Sequence, residues 1–470
     1  MQKMKNGKKV LSVCLSLAMA AGMLSTSAFA SWNVYGGSNN HNAVVTEAPT
    51  RPDKSGLDSY IQLHCTGSGW DGVDNVPVLQ TVNGTTYAYV LYDGYGASGA
   101  LVAKIRCAEN GGSSIVWTTD PYGTEGTSLN AKSGFQLSTP YLDDKGTPDD
   151  ASDDTLYVGT ISQYDDYEGG EWLTGTGSKV MALTGLDQNK PTVTNVLTGI
   201  NGQINTPITT DGTYLYFGTW PGGSRAGTYY QVKLSDYSVK TFTPDSYGFY
   251  WAGAVSDGTN VYFGSDNGLL YWRSIADFDT TGGVLDLTDV ASDAGNVRST
   301  VMMDEDGFLY FTTQGGYLWC CSYKDGLTVE WKAKLGPDPD TNVTSTSTPT
   351  KVGDRIYVGY YSGFNAGGVQ CVTLSLDEEG NIVPSIASVT SGFPVQSSIV
   401  VMGDGTGTDY LYFNTNAQKG AGYCYSYDGG KTGSKVWGTT GDTYALGGMA
   451  IDNGYAVFGN DYNHLYVVHD

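Results

Sequence analysis

Two adjacent cysteines, Cys320 and Cys321, stand out in this sequence, because neighbouring thiols can form a redox-active pair. They lie inside a predicted strand, just before a Lys-Asp-Gly turn. Cys320, Cys371 and Cys424 also fall at matching places in a repeat described below. We therefore expect these thiols to fill small buried apolar slots, and we expect no catalytic disulfide between Cys320 and Cys321.

Other groups that could carry acid–base or metal chemistry give weaker signals. The chain has four histidines, and no nucleophile-elbow motif accompanies them. Six aspartates lie within the twelve residues from Asp143 to Asp154. Such an oxygen-rich turn suits Ca²⁺, but its spacing does not match an EF-hand loop, and a solvated turn is the alternative. We assign no catalytic residue, and the metal ligands stay unknown.

Long aromatic segments between predicted strands give the best functional lead. Flat aromatic faces stack on sugars or fill a pocket of a protein partner. The alternative is that these side chains pack within their own loops. The candidate ligand-binding residues are Trp172, Trp220, Tyr250, Trp251, Tyr360 and Tyr361.

A repeat of about 50 residues organises the elements that must position these side chains. The segment from Ser345 to Tyr360 shows it clearly: a small-residue run ends in Pro349, a Gly-Asp turn follows, and an aromatic strand ends in Gly359. We call the residue equivalent to Pro349 the anchor of each repeat. The eight anchors are Pro77, Pro140, Pro207, Ala254, Val301, Pro349, Ile399 and Ala450.

Third and fourth strands follow the aromatic strand in most repeats, so each repeat predicts one four-stranded antiparallel blade. Eight such blades predict an all-β, eight-bladed β-propeller. The eighth repeat stops after its third strand, and we expect an N-terminal strand, Trp32 to Gly37, to complete that last blade and close the ring. A seven-bladed ring with a separate N-terminal piece is the alternative.

Three sequence features resemble the PQQ-like repeat β-propeller superfamily. They are the segment from Trp32 to His41, the Ser-Thr-Pro run before a Tyr-Val-Gly strand, and the Asp-Gly…Val-x-Trp ending at Trp331. The resemblance covers nearly the whole chain after residue 30, and it implies the propeller fold. It leaves activity open, because the superfamily includes quinoprotein dehydrogenases, outer-membrane-assembly lipoproteins and bacterial surface proteins.

The quinoprotein members bind PQQ and Ca²⁺ over the ring centre, with an aspartate base and often two adjacent cysteines. The setting of Cys320 and Cys321 differs from that pair, and no stretch matches the base or the metal ligands. We therefore expect no cofactor, with PQQ and Ca²⁺ as the alternative.

The first thirty residues predict a secretory signal peptide, because four lysines precede an apolar run and an Ala-Phe-Ala cleavage site. The propeller domain then spans residues 31–470. The formal net charge of −23 argues against nucleic acid and anionic membranes as partners. We expect a secreted or cell-surface monomer without membrane insertion.

The sequence therefore predicts an exported, non-catalytic propeller that binds a protein or glycan on the face with the long aromatic loops. A PQQ- and Ca²⁺-dependent dehydrogenase and a secreted glycan-active enzyme are the two alternatives.

Overall fold

In the computed structural model, β-strands make up nearly all of the regular secondary structure. It describes residues 31–63, 72–94, 99–121, 123–131, 137–161, 164–168, 171–174, 176–324, 326–338 and 340–470. The predicted signal peptide, residues 1–30, lies outside these ranges. The helical elements in the described ranges are short: a 3-10 turn at Tyr35–Gly37, an α-helix at Lys54–Asp58 and a 3-10 turn at Leu287–Asp289. No helix in this part of the chain is long and apolar enough to cross a membrane.

Eight four-stranded antiparallel blades form the ring, as the repeats predict. Each first strand begins at or just after an anchor and is followed by the predicted aromatic strand. The strands of the first four blades are Val78–Val82, Thr85–Asp93, Ala100–Arg106, Ser114–Thr118; Tyr141–Asp143, Thr155–Gly159, Thr176–Thr184, Thr192–Asn201; Thr209–Thr210, Tyr214–Gly218, Tyr229–Lys233, Val239–Phe242; Val255–Ser256, Asn260–Ser265, Leu269–Ser274, Gly282–Asp286.

The later blades repeat this order. Their strands are Met302–Met303, Phe308–Thr313, Tyr317–Ser322, Thr328–Lys334; Thr350–Val352, Arg355–Ser362, Ala366–Leu376, Ile382–Ser391; Val400–Met402, Asp409–Asn414, Gly422–Tyr427, Ser434–Gly438; Ala450–Asp452, Tyr455–Gly459, His464–Val468. A separate hairpin, Tyr164–Glu168 with Glu171–Thr174, is inserted in blade two. The apolar core lies between neighbouring blades rather than in one central cluster.

An N-terminal strand does complete the last blade, but it is not the predicted one. Ile61–Gln62 pairs antiparallel with His464–Val468 and supplies the fourth strand of blade eight. The prediction for Trp32 to Gly37 is wrong, because Tyr35–Gly37 forms a 3-10 turn in which Gly36 has φ of 73°. We call Ile61–Gln62 the closing strand.

Residues 31–45, which we call the central segment, run around the inside of the ring. Main-chain and side-chain oxygens of this segment accept hydrogen bonds from the first, innermost strands of five blades. In each blade the donor is the residue two positions after the anchor. The donors are the N–H groups of Leu79, Leu142, Met303, Lys351 and Val401, at 2.8–3.0 Å. The segment then pairs parallel with Val400–Met402 through Val44–Val45. In these five blades, the N–H group at this position on the inner edge of the first strand therefore has a hydrogen-bond partner.

Glycines that end the aromatic strands let the next blade approach closely. A Cβ atom at Gly264 would lie 2.2 Å from Val297 Cγ1, and one at Gly218 would lie 2.6 Å from Phe249 Cβ. Real Cβ contacts essentially never come this close. The recurring glycine of the Tyr-Val-Gly strand is thus a packing requirement between blades.

We expect Gly264→Val to destabilise the protein by about 1–3 kcal/mol, the usual cost of overpacking a core. Urea unfolding followed by tryptophan fluorescence measures this loss. The matched control is Gly407→Ala, where an added Cβ has nothing within 4 Å and the expected change is within about 0.5 kcal/mol. Equal midpoints for the two variants would show that blade contact does not select this glycine.

Candidate functional site

A cavity of about 60 Å³ lies at the ring centre, among the connections that lead into the first strands. All eight blades line it with residues that shortly precede their anchors, such as Asn75, Asn205 and Ser397. The central segment contributes Tyr35 to the lining. A single ligand in this cavity would therefore be recognised by elements that are far apart in sequence.

Threonine hydroxyls at one repeat position link neighbouring blades around this cavity. The position is the residue just before the anchor. The N–H of Gly253 donates to Thr300 Oγ1 at 3.2 Å, and the N–H of Thr300 donates to Thr348 Oγ1 at 3.1 Å. Val76 and Thr139 make the same contact between blades one and two, at 3.1 Å. The Thr of the Ser-Thr-Pro run thus has a structural role in holding the ring.

Tyr35 contacts this set of hydroxyls from the ring centre. Its hydroxyl lies 3.0 Å from Thr348 Oγ1. Burial raises the pKa of Tyr35, so its hydroxyl stays neutral and remains a hydrogen-bonding group at ordinary pH.

Aromatic side chains from blades three and four surround one arginine beside the cavity. Arg298 makes two hydrogen bonds to Asp266, from Nε and Nη2, each 2.7 Å long. Its guanidinium lies 4.4 Å from the ring centroid of Tyr250 and 6.0 Å from that of Trp220. Trp220 Nε1 also donates to Asp266 Oδ2 at 3.2 Å. Each aromatic contact with the cation is favourable, and the carboxylate fixes its position.

Two more predicted residues belong to this neighbourhood. Trp251 lines the cavity and contacts Tyr250 at 4.8 Å between ring centroids. Tyr361 comes from blade six; burial raises its pKa, while a hydrogen bond with Gln314 and the charge of Arg298 lower it. We call Trp220, Tyr250, Trp251, Arg298 and Tyr361 the aromatic cluster. The structure thus gathers four of the six predicted side chains, all half-buried, from blades three, four and six.

The other two predicted residues are not part of the cluster. Tyr360 is only 4% exposed and packs in the core between blades five and six, so its side chain is not available to a ligand. Strand alternation explains this correction, because Tyr360 and Tyr361 are consecutive residues of one strand and point to opposite faces. The backbone of Trp172 lies in the inserted hairpin opposite Tyr167, and its side chain lies outside the described part.

Arg298 and Asp266 were not predicted from the sequence. Asp266 follows the second strand of blade four, and Arg298 shortly precedes the anchor of blade five. Neither position has a sequence spacing that indicates a functional site. Their pairing depends on the contact between blades four and five, which only the folded ring shows.

The five cysteines in the described ranges are free and buried, as the packing prediction requires. Three of them lie directly across the strand pair from a tyrosine: Cys320 from Tyr310, Cys371 from Tyr357 and Cys424 from Tyr412. A small thiol at this position leaves room beside the large ring.

Cys320 and Cys321 face different cores. The first packs between blades five and six, and the second between blades four and five. Burial raises both thiol pKa values well above the usual range, which disfavours the reactive thiolate. The absence of a catalytic disulfide between them stays a prediction.

The aspartate-rich turn packs against blade one through its last residue. Asp154 is 1% exposed and accepts a 2.5 Å hydrogen bond from Gln80 Nε2. Burial raises the pKa of Asp154 to about 6, and the neighbouring carboxylates act in the same direction. Across the described residues, no group of three or more His, Cys, Asp or Glu side chains could hold a metal ion.

The described histidines all have contacts, and His469 lies with its ring 4.2 Å from that of Tyr455. His41 is buried in the central segment, with its two ring nitrogens 3.0 Å and 2.8 Å from the carbonyl oxygens of Tyr35 and Ala254. His464 Nδ1 lies 2.6 Å from Asp442 Oδ2, and the ring stacks on Tyr60. His64 lies outside the described residues.

The cavity in this conformation does not fit PQQ, which is a planar tricyclic quinone. An engineered cavity that binds benzene has a volume of about 150 Å³, and this one measures about 60 Å³. The lining arginine, Arg298, already directs two of its N–H groups to Asp266. We derive no step through this cofactor, and the expectation that none is needed stays a prediction.

Comparison with known proteins supports the fold and leaves the activity open. No family model matches the sequence, and no curated protein does. The structure is similar to the quinohemoprotein alcohol dehydrogenase of Comamonas testosteroni, with 10% identity, coverage of 94% of this chain and 79% of that chain, and a TM-score of 0.56.

A europium-containing methanol dehydrogenase is 11% identical over 93% of this chain and 89% of its own, with a TM-score of 0.54. Sqt1 of Saccharomyces cerevisiae is 11% identical over 89% and 99%, with a TM-score of 0.51. At such identities the likeness shows the fold alone. The chain is therefore an eight-bladed β-propeller, and its fold is similar to that of these three solved structures.

Proposed function

We propose that the protein is an exported binding propeller that holds its ligand on the face carrying the cavity and the aromatic cluster. The observation that carries the proposal is the convergence of Trp220, Tyr250, Trp251 and Tyr361 around Arg298. Trp220, the adjacent pair Tyr250 and Trp251, and Tyr361 come from three separate segments of the chain, which meet only in the folded ring.

The composition of the cluster favours a protein ligand over a glycan. Trp, Tyr and Arg are the residue types enriched at the energetic centres of protein interfaces. Asp266 holds Arg298 in place before binding, which lowers the entropy lost when a ligand orders the side chain.

Export and a secreted or cell-surface location rest on the predicted signal peptide. The protein is proposed to act as a monomer, without catalysis.

The test compares ligand binding by the wild type and by a Trp220→Ala/Trp251→Ala/Tyr361→Ala variant. Peptides selected on the wild type by phage display serve as protein probes, and a glycan array is run in parallel. We expect isothermal titration calorimetry to show at least a tenfold rise in Kd of the selected peptides for the variant, with unchanged circular dichroism.

The matched control is Tyr237→Ala, an exposed tyrosine in the turn between the third and fourth strands of blade three. Antiparallel order places that turn on the opposite face, so its loss should leave Kd unchanged. Binding that survives in the triple variant contradicts the proposal, and so does unfolding of that variant. Binding of glycans but not of peptides would show that the ligand is a carbohydrate and not a protein.

A further inference from the structure

We propose that the contact between the aspartate-rich turn of blade two and blade one is a pH-sensitive switch, which is closed while Asp154 is protonated and opens when Asp154 is ionised. The proposal rests on a buried carboxyl group that has no cationic partner. The turn joins the first and second strands of its blade, so antiparallel order places it on the face opposite the aromatic cluster. The switch is therefore separate from the proposed function.

Asp154 lies in a setting that is unfavourable for a charged carboxylate. It is 1% exposed, at the contact between blades one and two. Its Oδ2 accepts a 2.5 Å hydrogen bond from Gln80 Nε2, whereas its Oδ1 is buried without a partner in the described part of the chain. None of the ion pairs between described residues includes it. Burial of a carboxyl group without a cation favours its protonated form.

The repeat contains an aspartate at the same position that does have a cationic partner. Asp154 and Asp409 each lie three residues before the tyrosine of the aromatic strand, and both are buried. Asp409 Oδ2 accepts hydrogen bonds from Arg355 Nη1 at 2.9 Å and from the Tyr357 hydroxyl at 2.6 Å. Tyr87 occupies the position of Arg355 in blade one. Asp154 therefore lacks the arginine that would keep it ionised.

The other carboxylates of the turn act in the same direction as burial. Burial raises the pKa of Asp154 to about 6, although the hydrogen bond from Gln80 lowers it. The negative charges of Asp144, Asp153 and Asp150 raise it further. The turn thus resists a sixth charge at its buried end.

Blade one presents one cation, Lys104, toward this contact. Its Nζ donates to the carbonyl oxygen of Leu186 at 2.9 Å. Burial lowers the pKa of Lys104, whereas the charges of Asp187 and Asp154 raise it. Tyr89 stays neutral at ordinary pH, because burial raises its pKa well above the usual range. The single cation is therefore directed at a carbonyl oxygen and is shared between two acids.

The rest of the turn is held to blade one by few contacts. Most of its residues are exposed, and Lys145 forms an ion pair within the turn, with Asp143. The second polar contact with blade one is made by Asp149, whose Oδ1 accepts from the N–H of Asn83 at 3.1 Å. A change of charge at Asp154 can therefore release the turn while the strands of both blades stay in place.

The direction of the pH effect follows from the raised pKa. In the released turn, Asp154 has the ordinary aspartate pKa of about 3.9. The stabilisation of the closed contact is therefore complete below about pH 4 and is lost as the pH rises through about 6. These two pKa values predict that the equilibrium constant for opening rises about tenfold between pH 5 and pH 7.5.

Hydrogen exchange measured by mass spectrometry tests the switch. The reporters are the amide of Asn83 and the amides of residues 144–154, with rates corrected for the intrinsic pH dependence of exchange. We expect the opening constant of the wild type to rise about tenfold from pH 5 to pH 7.5. In Asp154→Asn, which keeps the shape of the side chain and removes its charge, the constant should be the same at both pH values.

The matched control is Asp153→Asn, which removes an exposed charge from the same turn. It should keep the pH dependence, with its midpoint at lower pH, because the charge of Asp153 raises the pKa of Asp154. Asp154→Ser is a second neutral variant that keeps the proposal testable if Asp154→Asn fails to fold. A wild-type opening constant that does not rise with pH, or a rise that persists in the neutral variants, overturns the proposal.

Discussion

A chain that lacks residues 31–43 is expected to lose at least about 3–5 kcal/mol of its free energy of unfolding, which is the usual cost of truncating one buried tryptophan. Trp32 is 3% exposed and packs with the core of blades seven, eight and one, whereas Val34 is 1% exposed and packs with blades two and three. One short segment thus fills two separate cores. When the segment is removed, the N–H groups of the first strands that donated to it become hydrated. Their lost hydrogen bonds therefore add little to the loss of unfolding free energy.

Urea unfolding of this truncated chain measures the effect, with the closing strand still present. A second chain that lacks residues 31–62 should unfold at lower urea still, because it also exposes the edge of His464–Val468. The control is Val44→Thr in the full chain, since Val44 is 39% exposed. An unchanged midpoint for the shorter deletion would mean that the central segment lies on the ring without stabilising it.

Arg355→Met is the single substitution with the largest expected effect, a loss of about 3–5 kcal/mol. Arg355 Nη1 lies 2.9 Å from Asp409 Oδ2, and that carboxylate is fully buried between blades six and seven. Tyr357 donates to the same oxygen at 2.6 Å. Removing the cation leaves an uncompensated buried charge, which costs more than the pair contributes.

Urea unfolding again gives the loss, and two comparisons isolate its cause. Asp409→Asn in the Arg355→Met background should recover part of it, because the orphaned charge is gone. Lys233→Met removes a lysine from an exposed pair with Asp236, and we expect it to cost at most about 1 kcal/mol. A loss no greater than that of Lys233→Met would refute the buried-charge explanation.

The repeat predicted the ring because each blade is specified by local patterns. The anchors mark the first strands, and the glycines after the aromatic strands mark where neighbouring blades touch. The closing strand escaped prediction because Ile61–Gln62 is only two residues long and carries no pattern. Trp32 to Gly37 has residue types that are typical of a strand. The segment is buried by the inner strands at the ring centre, however, and not by pairing with blade eight. Residue types alone do not predict which strand edge a segment will contact.

The candidate site was predictable only where loop length and aromatic content marked it. Trp220, Tyr250, Trp251 and Tyr361 were found in this way, and Tyr360 was included in error although strand alternation assigns it to the other face. Arg298 and Asp266 became visible only in the structure, because their ion pair joins blades four and five. Hydrogen-bond satisfaction depends on partners from other blades, so a single sequence does not reveal it.

The closing strand has a consequence for biosynthesis. Ile61 pairs with Leu465, so a strand that is made before the first blade waits for almost the last strand of the chain. At about 5–20 residues per second, translation of the intervening chain takes roughly 20–80 s. During that interval seven blades can form as an open arc whose two end blades lack a neighbour to cover their apolar faces, which is the form most exposed to aggregation and proteases. The nascent arc, rather than the finished ring, is therefore the state that a chaperone would need to protect.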